Sequence, residues 1–478
     1  MLFNSQVFLI FFVVIYALYL LSQKRVKLQN TLLLVASYIF YGYWDWRFLS
    51  LIALSTFIDF YIGKSLGAVE GDTPADLKRR KILLFCSVGA NLGILGFFKY
   101  FNFFTDSFAE MLNLFGLQAD PITLNIILPV GISFYTFQTM SYTIDIYRNQ
   151  LKPTQSLLDF AVFVSFFPQL VAGPIERAVN LLPQVEQPRR ITMEHFNAGL
   201  FLILWGYFKK VVIADNTGEI ANLIFNNYTT YSGFDLVIGV LAFAIQIYGD
   251  FSGYSDIARG ISRLMGFELM INFRLPYFAL NPTDFWQRWH ISLSTWLKDY
   301  LYIPLGGNRK GDFATYRNLF LTMLLGGLWH GASWNFVIWG AFHGLILILY
   351  RKFEKRPAHA DPWGGEHSYL VVVAKMALMF VLTLLGWLFF RASTAHQIGY
   401  MLTHISLVLS PEGLTLASSL LFFSLPLLVV QVFQYITRDL LILPKLPALA
   451  RVPVYSFLLI WALIFGTTES AQFIYFQF

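Results

Sequence analysis

Gly326-Gly-Leu-Trp-His-Gly-Ala-Ser-Trp-Asn-Phe336 sets one imidazole, that of His330, in the middle of an apolar run from Leu319 to Tyr350. A histidine at bilayer depth is costly unless it faces a partner or a water-filled cavity. The wider stretch from Tyr316 to Tyr350 reads as two shorter helices meeting at the glycines. The rest of the chain reads as a wall built around that ring.

Of the 478 residues, 56% are hydrophobic and 13% are charged, where soluble domains carry roughly 25% charged residues. The mean hydropathy is +0.58. This is the composition of an all-α polytopic membrane protein, with loops too short for a separate soluble domain. The net charge of +6 comes from short Lys/Arg clusters between apolar runs, which is a topology signal rather than a nucleic-acid footprint. Cys86 is the only cysteine, which leaves no internal disulfide and no thiolate metal site.

A helical span needs ~20 apolar residues. The first run, Val7 to Leu21, lacks a basic leader and a small-x-small cleavage site, so it reads as a span and not as a signal peptide. Lys24, Arg25 and Lys27 hold its end inside, and so does Lys78-Arg-Arg-Lys81 for the later spans. The middle is less regular. Ile126–Ile146 is interrupted by Pro129 and Gly131, and Leu158–Ile175 by Pro168, Gly173 and Pro174. Such broken backbone is tolerated at depth only where it lines a cavity or is buried in protein. Phe196–Ile213 and Leu236–Tyr248 read as spans. Gly249-Asp-Phe-Ser-Gly-Tyr-Ser-Asp-Ile-Ala-Arg-Gly260 reads as a polar loop and short helix at the membrane surface, and fits no phosphate-binding fingerprint.

Asn281 to Tyr300 reads as one interfacial helix, with Asn281 as N-cap, Pro282 in the first position and Asp284 in the first turn. Its aromatic stripe is Phe285, Trp289, Leu293, Trp296 and Tyr300. Counting spans past the basic loops at Arg351–Arg356 and Arg438–Arg451 puts both termini on the outer side. The chain is treated as a single membrane domain, residues 1–478. Its catalytic centre is expected within 281–350, and an extracytoplasmic tail within 466–478.

No Gly-x-Ser-x-Gly elbow and no His-Glu-x-x-His helix occurs, and no histidine pair has a metal spacing, so no metal is expected. What remains is histidine acting alone or in a pair. His330 and His290 stand out, with His343 as a weaker third. A neutral imidazole is the natural base for removing a hydroxyl proton, as an acyl transfer from a thioester to an alcohol requires. The sequence does not assign the oxyanion donors; Asn335 and indole N–H groups are weak candidates. The tail Phe473-Ile-Tyr-Phe-Gln-Phe478 is too apolar to stay in water and is expected to tuck into protein or bilayer.

Phe285-Trp-Gln-Arg-Trp-His-Ile-Ser-Leu-Ser-Thr295 together with Gly327-Leu-Trp-His-Gly331 resembles the membrane-bound O-acyltransferase (MBOAT) family. Leu128-Pro-Val-Gly-Ile-Ser-Phe-Tyr-Thr-Phe-Gln138, Phe167-Pro-Gln-Leu-Val-Ala-Gly-Pro174 and Tyr302-Ile-Pro-Leu-Gly-Gly-Asn-Arg309 resemble its bacterial alginate, peptidoglycan and cellulose O-acetyltransferase branch. The resemblance implies a ring or horseshoe of roughly 10–12 transmembrane or re-entrant helices around a central tunnel. It implies acetyl-CoA as a cytoplasmic acyl donor, a place in the bacterial inner membrane among its lipids, and a periplasmic SGNH-type acetyltransferase partner. An exported polysaccharide is the implied final acceptor. His330 corresponds to the family's signature histidine and His290 to its second polar position. Tyr475 corresponds to the tail tyrosine proposed to carry the acyl group. Arg288, Lys298, Arg309 and Lys310 are expected to meet the negative charges of the donor. The competing readings are a transporter of an acyl or lipid intermediate, supported by the broken segments, and a passive scaffold.

Overall fold

The computed structural model describes residues 1–69, 71, 73–171, 173–353, 369–467 and 473–474. Among them the chain is helical with no strand. It forms a multi-pass membrane protein: among the described residues eight helices are long and apolar enough to cross a bilayer, with two shorter apolar helices, Gln6–Leu21 and Leu157–Leu170. One helical stretch, Val26–Gly67, is 42 residues long, about twice the length of a span. Asp45 divides it by adopting extended backbone at φ −160°, ψ 110°, with its carboxylate accepting the Arg47 N–H.

The chain forms two compact units. The first comprises Met1–Gly199 and Ala258–Met270, the second Leu200–Ile257 and Ile271–Phe478.

In the first unit, several buried polar groups are paired with one another, since a bilayer offers them nothing else. The Asp59 carboxylate accepts from Ser87 Oγ at 2.6 Å and from Asn91 Nδ2 at 2.7 Å. Arg189 donates to Tyr19 Oη and to Asn30 Oδ1. The segment expected to break does so. Leu157–Ser165 ends at Phe166 (φ −49°, ψ 105°), and after the single turn Phe167–Leu170 the residues Gly173–Arg177 form no helix. The freed Phe167 N–H is recovered by Ser37 Oγ at 3.1 Å. Gly131 (φ +77°) starts the helix Ile132–Tyr147 against this break. A Cβ there would lie 2.8 Å from the Leu170 carbonyl oxygen, so only glycine fits.

The second unit begins inside the helix Met193–Phe208, which a π-helical turn Lys209–Ala214 and Asp215–Asn226 continue without a break. Two expectations fail. Gly249 to Gly260 is not a surface loop but part of one helix, Phe234–Leu264. Its polar residues are matched inside the protein: Lys209 Nζ reaches Asp256 at 2.6 Å and Ser252 at 3.0 Å, and Lys210 Nζ reaches Asp250 at 2.9 Å. Its Gly253 allows helices to touch, since a Cβ there would lie 2.8 Å from the Gly206 carbonyl oxygen.

Asn281 to Tyr300 is likewise not one interfacial helix. Asn281 does cap Pro282–Arg288, with its side chain accepting the Asp284 N–H. The chain then breaks at His290, which is left-handed at φ 44°, ψ 53°, and resumes as Ile291–Leu297 and the π-helical turn Lys298–Tyr302. The aromatic stripe faces protein: Phe285, Trp289, Leu293 and Trp296 are all buried.

Candidate active site

His330 is the last residue of the helix Gly311–His330, and Trp334–Phe353 returns antiparallel to it. Three glycines make this hairpin close. A Cβ on Gly327 would lie 2.3 Å from the Phe336 carbonyl oxygen, one on Gly340 2.5 Å from that of Met323, and one on Gly331 2.2 Å from the Phe336 ring. The reward of that approach is a box around the imidazole. Trp339 stands edge-on at 4.9 Å between ring centroids, Trp329 at 5.0 Å and Phe390 at 5.4 Å.

The fourth neighbour is His290, 6.4 Å away between centroids. Its ring is turned inward by the left-handed backbone, a conformation uncommon outside glycine. Asn272 holds that turn. Its carbonyl accepts the Ile291 N–H at 2.9 Å, and its Oδ1 accepts the Ser292 N–H at 3.2 Å and the Ser292 hydroxyl at 2.9 Å. Oδ1 also lies 3.2 Å from His290 Nδ1. An N–H can only donate, so Oδ1 is an acceptor and Nδ1 is the protonated nitrogen of the neutral ring. Nε2 then carries the lone pair. His290 is fully buried and His330 is 4% exposed.

His343 belongs to the same aromatic cluster, 4.7 Å from Trp339 and 5.0 Å from Trp286. The indole N–H groups of Trp286 and Trp339 are buried with no hydrogen-bond partner among the described residues. Asn335 is not available as an oxyanion donor, because its amide nitrogen is engaged by the carbonyls of Phe390 and Ala392.

Unlike the two imidazoles, none of the four basic residues is buried. Arg288 is held by Asp284 at 2.6 Å, whereas Lys298, Arg309 and Lys310 are exposed. The turn bearing Arg309 and Lys310 is pinned by buried Asn318, which donates to the Gly307 carbonyl at 3.0 Å. Among the described residues no cluster of side chains could hold a metal.

Tyr475 lies outside the described residues, but its predecessors are placed. Phe473 and Ile474 are buried, as an apolar tail requires. The Phe473 ring lies 4.5 Å from Tyr254 and 5.8 Å from Phe251, and Phe251 stands edge-on to His290 at 4.7 Å. The residues that receive the tail, Lys210, Asp215, Asp250, Phe251 and Tyr254, were missed in the sequence. The signal was there: charged residues within long apolar runs mark functional positions in membrane proteins.

The membrane-bound O-acyltransferase family model matches residues 147–390. The chain is 47% identical to a protein named "Probable alginate O-acetylase AlgI" of Pseudomonas putida, over 83% of this chain and 78% of that protein. It is 38% identical to the peptidoglycan O-acetyltransferase of Helicobacter pylori, over 82% of this chain and 77% of that protein. It is 27% identical to the teichoic acid D-alanyltransferase of Bacillus subtilis, over 57% of this chain and 71% of that protein. With its paired buried imidazoles and its membrane helices, the chain belongs to the membrane-bound O-acyltransferase family and is an O-acyltransferase.

Proposed function

We propose that this enzyme takes an acetyl group from cytoplasmic acetyl-CoA and passes it outward for O-acetylation of an exported polysaccharide. The relatives named for alginate and peptidoglycan support this substrate class. The setting is the bacterial inner membrane, with both termini periplasmic. The final transfer to the polymer falls to a periplasmic SGNH-type partner.

The observation that carries the reading is the buried pair His290 and His330, with the His290 tautomer set by Asn272. His330 takes the proton of the acceptor hydroxyl as its oxygen attacks the thioester carbonyl. A C–O bond forms, the C–S bond breaks, and the proton passes to the leaving sulfur as CoA thiol. His290 presents Nε2 as the second station for that proton. The Trp339 indole N–H, beside His330, steadies the charge that develops on the carbonyl oxygen. The acceptor is Tyr475, whose acetyl ester is then handed to the partner. Arg288, Lys298, Arg309 and Lys310 draw in the polyanionic donor.

The test is CoA thiol release by the purified full-length protein and by His330→Gln and His290→Gln. Loss of a general base lowers the rate by ~10²–10⁴-fold. Release at the native rate in His330→Gln would refute the reading.

A further inference from the structure

Lys209 and Lys210 are two lysines buried within a helical stretch of a membrane protein, on a π-helical turn. Burying an ammonium is costly unless it is paired, and helices carry such turns frequently at functional sites. Lys209 is absorbed by helix packing through Asp256 and Ser252. Lys210 is arranged differently, because it bridges two carboxylates. Its Nζ lies 2.7 Å from Asp215 Oδ1 and 2.9 Å from Asp250 Oδ1.

The second oxygen of each carboxylate faces the C-terminal segment. Asp215 Oδ2 accepts the Thr467 hydroxyl at 3.1 Å, and the Thr467 N–H donates to the Val211 carbonyl at 3.3 Å. Asp250 Oδ2 accepts the Ile474 backbone N–H at 2.7 Å. One ammonium thus orients two carboxylates, and each ties the tail at a different point. Tyr254 completes the seat, with its ring 5.8 Å from Lys210 Nζ on one contact and 4.5 Å from the Phe473 ring on another.

We propose that Lys210, Asp215 and Asp250 form a two-point seat that positions the C-terminal segment for acyl transfer. They act as positioning residues and touch no donor. A chain terminus stays poorly ordered unless it is tied down. The tie at Ile474 is the last before Tyr475, which follows it in the chain, and the neighbouring Phe473 leans on the Phe251 that flanks His290. Holding an acceptor this way replaces a search over many conformations by one short reach. The positioning role rests on Tyr475 as acceptor, whereas the seat itself does not.

The decisive variant is Ile474→Pro, which deletes the N–H that Asp250 accepts and leaves the lysine and both aspartates intact. Ile474→Val keeps that N–H and is the control. Deuterium uptake by the C-terminal peptide is measured on the full-length protein in lipid nanodiscs, alongside acetyl transfer from labelled acetyl-CoA. In Ile474→Pro the peptide is expected to exchange faster and transfer to fall by about 10-fold or more, the scale of one hydrogen bond to a charged group, with KM for acetyl-CoA unchanged. Ile474→Val should match the native protein in both. Native-like protection in Ile474→Pro would overturn the seat, and faster exchange with native transfer would overturn its positioning role. If Tyr475→Phe transfers normally while Ile474→Pro still loosens the tail, the acceptor assignment fails and the seat stands.

Discussion

Asn272 Oδ1 and His290 Nδ1 lie 3.2 Å apart, and the same oxygen takes the Ser292 N–H. The amide thereby fixes both which ring nitrogen is protonated and where the other one points. Asn272→Ala removes that choice without touching donor or acceptor. Acetyl transfer is expected to fall by roughly 10–100-fold, less than the ~10²–10⁴-fold carried by a general base. The pH–rate profile should also move, because an untethered imidazole titrates differently. Single-turnover rates across pH, native against variant, check both.

Trp339 stands edge-on to His330 with its indole N–H buried and without a partner among the described residues. Trp339→Phe keeps an aromatic ring and loses the donor. If that N–H steadies the oxyanion, kcat falls by ~10²–10³-fold while KM for acetyl-CoA stays. A native kcat in the variant would remove Trp339 from the mechanism.

In the proposed function, the exposed Lys298, Arg309 and Lys310 act on donor encounter. Replacing all three by glutamine is expected to raise KM for acetyl-CoA several-fold with little change in kcat. The difference should shrink at high ionic strength, because exposed charges are screened. Initial rates at low and high salt provide the test.

Glu176 links stability to pH in the first unit. Its carboxylate accepts the Met270 N–H, and burial pushes it up to about 7 against the pull of Arg259 and Arg177, with Glu268 adding to the rise. The folded state therefore holds this proton more tightly than the unfolded chain. The stabilisation is complete below the ordinary carboxylate range and is lost as pH rises through about 7. Glu176→Gln is neutral at every pH and should flatten this part of the profile. Thermal unfolding in detergent between about pH 5 and about pH 8 measures it.

Much of this was legible in the sequence. The spans followed from apolar runs bounded by basic loops. The break near Pro168 followed from its prolines, and the hairpin at His330 from its glycines. The helical course of Gly249–Gly260 was hidden because its polar residues are matched by Lys209 and Lys210, which lie some 40 positions upstream. The inward turn at His290 was hidden for the same reason, since it depends on Asn272, 18 positions earlier. An aromatic stripe at helical spacing reads equally as a membrane-surface face or as a face packed on protein. Only the neighbours of Trp289, among them Phe273 at 4.9 Å and Trp387 at 4.7 Å, decide between them. The burial of Phe473 and Ile474 was foreseeable from the tail's apolar character, but its seat was not, because Asp215 and Asp250 sit on separate helices.

The most direct measurement is mass spectrometry of the C-terminal peptide after the native protein, His330→Gln and Tyr475→Phe are incubated with labelled acetyl-CoA. An acetyl ester on Tyr475 of the native chain, absent from both variants, is the expected result. CoA released at the native rate by His330→Gln, with no adduct on any tail, would contradict an acyl relay built on His330 and Tyr475.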